Sequence, residues 1–230
     1  MKYSLVIPCF NESKSIPELV SQCKKICNKD TEIVFVNNGS TDNSKELFEI
    51  LLTDNKNLKF VNVQNNIGYG DGILAGLKET SGDIIGWTHA DLQTDPDDFI
   101  KALTFFENEK NIFVKGKRKG RPFFDIFFTI CMSLFESILL RKLFWDINAQ
   151  PTVFDRNFYN SWKNPPHDFS IDLFAYNEAK RKGLQIKRFS VFFKKRSHGS
   201  SHWNLGFRSK VKFIRRTISY SIELKRRDRN

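Results

Sequence analysis

The sequence predicts an α/β domain with a mostly parallel central sheet, helices on both faces, and a helical, basic elaboration at the C-terminus. The main observation is that short β-rich runs alternate with helical stretches throughout the first half of the chain. Strands that alternate with helices indicate right-handed βαβ units, which build parallel sheets. A length of 230 residues is enough for one well-buried domain and too short for two of ordinary size.

Predicted elements cover both halves of the chain. We predict strands at residues 4–10, 32–37, 58–63, 83–88, 112–115, 151–154 and 186–193. We predict helices at residues 15–28, 41–54, 69–80, 123–144, 170–182 and 207–225, and one that begins at Pro96. The helix at residues 41–54 is expected to be capped by Ser40 or Thr41. Without a repeat or a linker, the chain is expected to form one domain.

The basic residues are concentrated near the C-terminus. The chain has 37 Lys and Arg against 26 Asp and Glu, a net charge of +11, and the basic residues crowd together from Lys180 onward. This charge predicts an anionic partner, such as nucleotide phosphates, acidic lipid headgroups or nucleic acid. The chain has no RNA-recognition signature, so nucleic acid is not expected.

The sequence favours a cytoplasmic location. Its four cysteines show no metal-ligand spacing and no signal peptide is visible at the start, so reduced thiols are expected. The most apolar stretch, residues 123–145, is interrupted by Asp125, Glu136, Arg141 and Lys142, whereas a spanning helix needs about 20 nearly uncharged residues. We therefore expect no transmembrane segment.

Three predicted strands end in polar clusters. Strand one ends in PCFNE (residues 8–12), strand two in NNGSTD (residues 37–42) and strand four in HADLQ (residues 89–93). In parallel sheets, ligands bind in the crevice beyond the carboxyl ends of the strands. One such cluster is ordinary loop chemistry, but three at the same edge predict a site.

These segments, in this order, resemble those of the family 2 glycosyltransferases, which have the Rossmann-like GT-A fold. Residues 4–12 are similar to the opening strand and first nucleotide loop of the family, and residues 37–42 to its DDGSTD segment. NIGYG at residues 66–70 is similar to its glycine-marked helix, and DLQTDP at residues 91–96 to its metal segment. The similarity is greatest to the branch of dolichyl-phosphate mannosyltransferase and the bacterial polyprenyl-phosphate sugar transferases.

The resemblance implies an inverting enzyme that uses Mg²⁺ or Mn²⁺ and a nucleotide diphosphate-sugar donor. It makes residues 1–120 the nucleotide-sugar-binding half of a single GT-A domain and residues 121–205 the acceptor-binding half with an aromatic interface helix. Residues 206–230 form a basic C-terminal helix. The residues that it implies for nucleotide binding are Pro8, Phe10, Asn11, Glu12, Asn37, Asn38, Gly68, Asp71, His89 and Ala90.

Asp91 and Gln93 are the predicted metal ligands. Breaking a sugar–diphosphate bond leaves negative charge on the departing nucleotide, which a divalent ion stabilises. Hard cations prefer oxygen ligands, and a carboxylate and an amide supply them. Both side chains point the same way if the loop is extended. In the alternative interpretation, Asp91 and Asp95 only cap the helix that starts at Pro96.

Three positions depart from the family pattern. His89 stands where the family usually has Asp, and its imidazole would either ligate the metal, Mn²⁺ better than Mg²⁺, or hydrogen-bond a phosphate or ribose hydroxyl. Asn37 stands where acidic residues are common, yet an amide still offers a donor and an acceptor to a base. Gln150 replaces the usual glycine. These departures make a degenerate, glycosyltransferase-like binding protein an alternative.

The resemblance also implies four candidate residues for the acceptor side and for closure of the site. Arg118 matches a family arginine that meets phosphate, with a solvated basic loop as the alternative. Asp168 and Asp172 are candidate general bases, with helix capping as the alternative for Asp168; a hydroxyl acceptor needs a base, and a polyprenyl phosphate does not. Arg196 begins a segment, residues 196–203, that is expected to close over the diphosphate; His198 and His202 in it are ligands or plain loop residues.

A membrane surface is the expected location of this activity. An apolar face at residues 123–139 and the basic helix near the C-terminus suit acidic headgroups. A core helix or a homodimer interface would account for the same face. The leading hypothesis is sugar transfer to a polyprenyl-phosphate or lipid-linked glycan acceptor at the inner face of the cell membrane. The alternatives are transfer to a hydroxyl of a surface polysaccharide and a non-enzymatic basic binding module, which leaves the three polar clusters unexplained.

Overall fold

The computed structural model describes residues 1–53, 55–196 and 207–228, with side chains from residue 214 onward in the last range. Its centre is a seven-stranded sheet in the order β3-β2-β1-β4-β6-β5-β7. The strands are β1 (Tyr3–Cys9), β2 (Thr31–Asn38), β3 (Leu58–Val63), β4 (Ile84–Trp87), β5 (Ile112–Lys119), β6 (Thr152–Asp155) and β7 (Gln185–Phe192).

Eight α-helices and one 3₁₀ turn at Thr104–Glu107 accompany the sheet in the described ranges. They are α1 (Ile16–Ile26), α2 (Ser44–Leu51), α3 (Tyr69–Lys78), α4 (Asp97–Leu103), α5 (Phe123–Leu140), α6 (Arg156–Asn160), α7 (Ile171–Arg181) and α8 (Phe207–Arg227). The predicted alternation of strands and helices is confirmed, with boundaries shifted by a few residues.

The sheet is parallel except at one strand. β1 pairs in parallel with β2 and β4, β2 with β3, and β5 with β7, whereas β6 runs antiparallel to both β4 and β5. The mostly parallel α/β fold predicted from the sequence is therefore confirmed. The reversal at β6 was not predicted, because a four-residue strand does not show its direction in its sequence.

Two apolar cores cover the two faces of the sheet, as expected from the alternation of side chains along a strand. Leu5 and Ile7 of β1 point into one core with α1, α2 and α4, and Val6 points into the other with α3 and α7. The carboxyl ends of β1, β2 and β4 thus lie at one edge of a sheet that is covered on both faces.

The start of α2 differs from the prediction. The helix begins at Ser44 rather than Thr41, and neither Ser40 nor Thr41 caps it. The backbone N–H of Thr41 donates instead to Asn11 Oδ1 at 2.8 Å, and Ser44 N–H donates to Asp42 Oδ1 at 3.1 Å. The residues expected to open the helix therefore join the loop after β1.

Helix α5 also differs from the expectation. It ends at Leu140, before Arg141 and Lys142, so it carries only Asp125 and Glu136 as charged residues. With 18 residues, a mean hydropathy of 1.9 and only 17% of them buried, it is the one helix in the described ranges that is long and apolar enough to cross a membrane. Length and composition alone are weak evidence for a span. Two of the four charges on which the expectation of no such segment was based, Arg141 and Lys142, lie outside the helix.

Candidate active site

The loops after β1 and β2 are held together by polar side chains. Asn11 has a left-handed backbone, with φ of 56°, and its Oδ1 accepts the N–H of Thr41. Asp42 Oδ2 accepts the N–H of Ser13 at 3.1 Å, while its Oδ1 accepts the N–H of Ser44. Two of the three polar clusters seen in the sequence therefore form one edge of a crevice.

The third cluster meets the first at a shared arginine. Asp91 is only 8% exposed, and its Oδ2 accepts a hydrogen bond from Arg196 Nη2 at 2.6 Å. Arg196 Nη1 lies 3.7 Å from Glu12 Oε1. Burial raises the pKa of the Glu12 carboxyl, an effect that Arg196 opposes and the negative charge of Asp91 reinforces. The structure thus brings together Glu12, Asp91 and Arg196, as predicted from three separate stretches of sequence.

Gln93 has a different environment from the one predicted. Leu92 has a left-handed backbone, with φ of 58°, so the loop is not extended and the premise for both ligands pointing the same way is wrong. Gln93 Nε2 donates to the carbonyl of Lys194 at 3.2 Å, and the N–H of Lys194 donates to the carbonyl of Gln93 at 2.8 Å. These two bonds connect the metal segment to the chain that follows β7, and metal ligation by Gln93 stays a prediction.

His89 lies near four charged residues, Asp91, Asp172, Arg118 and Arg196. Its Nδ1 is 3.2 Å from the hydroxyl of Tyr69. Burial lowers the pKa of the imidazole, Asp91 and Asp172 raise it, and Arg118 and Arg196 lower it, with a net shift downward. The ring is therefore neutral at neutral pH, with one nitrogen held by Tyr69.

The end of β2 contains a hydrogen-bond acceptor without a donor. Asn37 Nδ2 donates to Asn62 Oδ1 at 2.7 Å, and Asn38 Nδ2 donates to the carbonyl of Gly68 at 2.9 Å. Asn38 Oδ1 is buried and has no hydrogen-bond partner among the described residues. A buried carbonyl of this kind is costly to leave unpaired, so it suits a donor group on a ligand.

The glycine-marked helix packs closely against the segment before α7. A Cβ on Gly68 would lie 2.2 Å from the carbonyl oxygen of His167, so only glycine fits there. Asp71 Oδ1 is 2.8 Å from His167 Nδ1, and the N–H of Asp71 donates to the carbonyl of His167 at 2.8 Å. Asp71 is therefore paired within the protein, and its predicted role toward a nucleotide is untested. Pro8 lies within β1, Phe10 directly follows β1, and Ala90, three residues after β4, is buried in an apolar core.

Arg118 at the end of β5 is engaged by a buried carboxylate. Its Nε donates to Asp146 Oδ1 at 2.9 Å, its Nη2 contacts the same oxygen, and its N–H donates to Asp146 Oδ2 at 3.0 Å. The guanidinium carbons of Arg118 and Arg121 lie 5.4 and 5.7 Å from the ring centre of Phe193. Burial raises the pKa of Asp146, but Arg118 and Arg188 outweigh it and hold the pKa below its ordinary value.

A buried polar network that the sequence analysis missed joins β5, β6 and α7. Lys115 is fully buried, with its Nζ 2.5 Å from Thr152 Oγ1 and 3.4 Å from Asp172 Oδ1. Gln150 Nε2 also donates to Asp172 Oδ1 at 2.8 Å. Burial lowers the pKa of Lys115 to about 8, against the opposing effect of Asp172. The signal in the sequence was a lysine that continues an apolar strand at residues 112–114.

Asp168 lies three residues before α7 and has its own hydrogen-bond and ion-pair partners. Its Oδ1 accepts the N–H of Ser170 at 2.8 Å, and its Oδ2 is 3.2 Å from Arg216 Nε on α8. Arg216 in turn lies over the ring of Phe169, at 5.4 Å. Asp168 is half-exposed and Asp172 is buried, so the two candidate bases are in different environments. His198, His202 and the rest of residues 197–206 lie outside the described residues.

The residues near Asp91 fit a metal ion that takes most of its ligands from the bound substrate. In the described part of the chain, no three His, Cys, Asp or Glu side chains are placed to bind a metal together. The carboxylate oxygens of Asp91 and Glu12 both face the guanidinium of Arg196. A metal cation would be attracted by the same two negative charges. Mg²⁺ is commonly held by one or two carboxylates plus substrate phosphates, and this donor set fits that pattern.

Comparison with known structures shows the same fold in characterised enzymes. The chain is similar to glucosyl-3-phosphoglycerate synthase from Mycobacterium tuberculosis solved with Mn²⁺, UDP and glucosyl-3-phosphoglycerate, at 16% identity and a TM-score of 0.74 over 96% of this chain and 80% of that one. The structure of the same synthase with Mn²⁺, UDP and phosphoglyceric acid has 17% identity and a TM-score of 0.74, over 96% of this chain and 78% of that one. Its structure with Mg²⁺ and UDP has 16% identity and a TM-score of 0.70, over 96% of this chain and 79% of that one. These neighbours confirm the GT-A fold, and they do not point to the polyprenyl-phosphate branch.

A family model provides the assignment that structural similarity at this identity does not. The model of glycosyl transferase family 2 matches residues 4–150, more than half of the chain. The match covers all three polar clusters, Arg118 and Asp146. The chain therefore belongs to glycosyl transferase family 2 and is a glycosyltransferase with the GT-A fold.

Proposed function

We propose that the protein transfers a sugar, with inversion, from a nucleotide diphosphate-sugar to a polyprenyl-phosphate or lipid-linked glycan at the cytoplasmic face of a membrane, using Mg²⁺ or Mn²⁺. The observation that carries the donor part is the meeting of Asp91 and Glu12 at Arg196, beyond the carboxyl ends of β4 and β1. The solved neighbours bound to UDP with Mn²⁺ or Mg²⁺ support the same donor class.

Asn38 and His89 would hold the nucleotide part of the donor. The buried, unpaired Oδ1 of Asn38 accepts a hydrogen bond from the base or the ribose, which gives this oxygen the partner that it lacks. His89 is neutral and fixed by Tyr69, so its remaining nitrogen hydrogen-bonds a phosphate or hydroxyl, or ligates the metal. These two side chains approach the donor from β2 and β4.

Asp91 and Glu12 would hold the cation, with Gln93 as a further candidate ligand. When bound, the divalent ion stabilises the negative charge that develops on the departing diphosphate. In the present structure the guanidinium of Arg196 neutralises Asp91 at 2.6 Å. Arg196 therefore exchanges the carboxylate for a diphosphate oxygen when the donor binds, and its planar, bidentate donors suit that group.

The acceptor side would use Arg118 and Arg121 to orient an anionic group. Both guanidinium groups border the aromatic ring of Phe193, and Arg118 is kept in place by Asp146. A phosphate acceptor is already ionised and needs no base. That is consistent with an Asp172 that is buried against Lys115 and an Asp168 that is paired with Arg216.

The test of the donor assignment is nucleotide binding with Asp91→Ala. We expect wild type to bind a nucleoside diphosphate in calorimetry with Mn²⁺ and much more weakly without it, and Asp91→Ala to lose the metal-dependent part. Asp97→Ala, an exposed carboxylate on the first turn of α4, serves as the matched control and should bind as wild type does. Unchanged metal-dependent binding in Asp91→Ala would overturn the metal assignment. Retained binding with no turnover on any acceptor would indicate a degenerate enzyme.

A hydroxyl acceptor is the second candidate, because the solved neighbours were bound to phosphoglyceric acid or its glucosyl derivative. The two acceptor classes differ in their need for a base. With a hydroxyl acceptor, Asp168→Asn should retain nucleotide binding and lose roughly 10²–10⁴-fold in turnover. With a polyprenyl phosphate, the same variant should lose only a few-fold. Assays with both acceptors on the same preparation decide between them.

A further inference from the structure

Helix α5 is apolar on its outer face, and two of its three buried residues, Ser133 and Glu136, are polar. Its exposed residues are large and apolar: Phe124 is 82% exposed and Ile138 is 70% exposed. Further exposed apolar residues of the helix are Phe123, Ile126, Phe127, Ile130 and Leu134. Its fully buried positions are Ser133, Glu136 and Leu140. A helix in water has the opposite arrangement, so this outer face is built for contact with something apolar.

The orientation of α5 is fixed by its polar inner face. Ser221 of α8 donates to Glu136 Oε1 at 2.7 Å, and Ser133 Oγ accepts the N–H of Asp146 at 3.1 Å. Ser137 Oγ accepts the N–H of Phe144 at 2.8 Å. These bonds attach the helix to the body of the domain along one side. The apolar face is therefore presented outward as a rigid surface about 27 Å long, from 18 residues at about 1.5 Å each.

Exposed cations stand at both ends of this apolar face. Lys117 and Lys119 at the end of β5 precede α5, and Arg141 follows it. Arg215 and Arg226 are exposed on α8, which packs against α5. An apolar stripe with cations at its ends and along the neighbouring helix matches the acyl chains and anionic headgroups of a bilayer surface.

We infer that α5 is a membrane-docking helix that lies in the plane of an anionic bilayer, with its outer phenylalanines and leucine in the acyl region and Lys117, Lys119 and Arg141 among the headgroups. A spanning orientation does not suit it, because the side with Ser133 and Glu136 is attached to the protein. A second copy of the chain suits the face less well than lipid does, since each copy carries a net charge of +11 and the surrounding cations would repel. The inference concerns lipid binding and does not depend on the identity of the sugar acceptor.

The experiment is co-sedimentation of the full chain with vesicles. Wild type is compared on phosphatidylcholine alone and on phosphatidylcholine with about one third phosphatidylglycerol. The double variant Phe124→Ser with Ile138→Ser removes two outward side chains that make no core contact. The control is Ile50→Ser, which removes an equally exposed isoleucine (70%) from α2. We expect the double variant to bind anionic vesicles at least about tenfold more weakly and the control to match wild type.

A charge variant tests the second half of the inference. Lys119→Glu with Arg141→Glu should weaken binding to anionic vesicles by about tenfold and leave any weak binding to neutral vesicles unchanged. Wild-type binding should also fall as salt rises, since headgroup attraction is screened. Equal binding of wild type to neutral and anionic vesicles would overturn the electrostatic part.

Oligomeric state and nucleotide binding complete the design. If wild type fails to bind vesicles and sediments as a dimer that the Phe124→Ser, Ile138→Ser variant dissociates, the face is a protein interface and the inference is wrong. Metal-dependent nucleotide binding is measured on every variant. Variants that lose vesicle binding should retain it, which separates the failure of membrane docking from the failure of the proposed donor chemistry.

Discussion

Two regions of the molecule use polar side chains in opposite ways. At the carboxyl ends of β1, β2 and β4, short polar residues connect one loop to the next, as when Asn11 accepts from Thr41. From β5 onward, polar groups are buried inside the domain and paired over long stretches of chain, as with Lys115 and Asp172 or Glu136 and Ser221. The polar contacts beside the crevice therefore lie in loops, whereas those from β5 onward lie in the interior.

This difference has a consequence for stability. A loop side chain that loses its partner can turn to water, so its loss costs little. A buried ionic or polar group that loses its partner has no water to replace it, and its loss is costly. Substitutions in the buried network from β5 onward should therefore affect the whole fold, whereas those in the loops after β1 and β2 should affect the crevice locally.

The largest effect is expected at Lys115. Lys115→Met preserves the length of the side chain but leaves Asp172 buried without its cation, which should destabilise the fold by about 3–5 kcal/mol. Lys117→Met is the matched control, two residues further along the same strand and exposed, and should change stability by less than about 0.5 kcal/mol. Denaturant unfolding measures both.

A second substitution sharpens the interpretation of Lys115. Adding Asp172→Asn to Lys115→Met removes the unpaired charge and should recover part of the lost stability. If Lys115→Met is as stable as Lys117→Met, the buried network contributes nothing and the contrast between the two regions fails.

An intermediate effect is expected at Glu136, and it depends on pH. Burial raises the pKa of this carboxyl to about 7, so the folded state prefers its protonated form. The stability that it contributes is fully present below the unfolded pKa near 4.5 and is lost as pH rises through about 7. Between pH 4.5 and 8 the loss should be about 2–3 kcal/mol.

Unfolding of Glu136→Gln across the same pH range tests this. The variant should lack this component of the pH dependence and should be more stable than wild type at pH 8. Glu107→Gln, on an exposed residue of the 3₁₀ turn, should show the wild-type dependence. Parallel curves for wild type and Glu136→Gln would show that Glu136 titrates normally in the folded protein.

The contrast also explains which features the sequence revealed. Strand and helix positions follow from periodicity. The three polar clusters lie at the carboxyl ends of strands, so residues 8–12, 37–42 and 89–93 were recognisable as one site. Partners within that site come from loops at the same edge of a parallel sheet. Their convergence follows from the topology without any knowledge of side-chain contacts.

The buried network from β5 onward could not be predicted in the same way. The pairing of Lys115 with Asp172 requires residues 57 positions apart, and that of Glu136 with Ser221 requires 85. The first pair joins β5 to α7 and the second joins α5 to α8, and periodicity does not encode either packing. The sequence therefore showed an apolar stretch interrupted by charges, where the structure has a helix whose Glu136 faces inward.

The smallest effect is expected in the loops beside the crevice, at Asp42. Hydrogen bonds from Ser44 and Ser13 outweigh the effect of burial and hold the pKa of this carboxyl below its ordinary value. Asp42→Ala removes these bonds where water can partly replace them, so unfolding should show a loss of only about 1 kcal/mol, compared with less than about 0.5 kcal/mol for the exposed control Asp30→Ala. Because the two loops border the crevice, metal-dependent nucleotide binding should weaken measurably in Asp42→Ala and remain unchanged in Asp30→Ala. A loss of stability as large as that of Lys115→Met would mean that these loops are also part of the core, and the contrast between the two regions would be wrong.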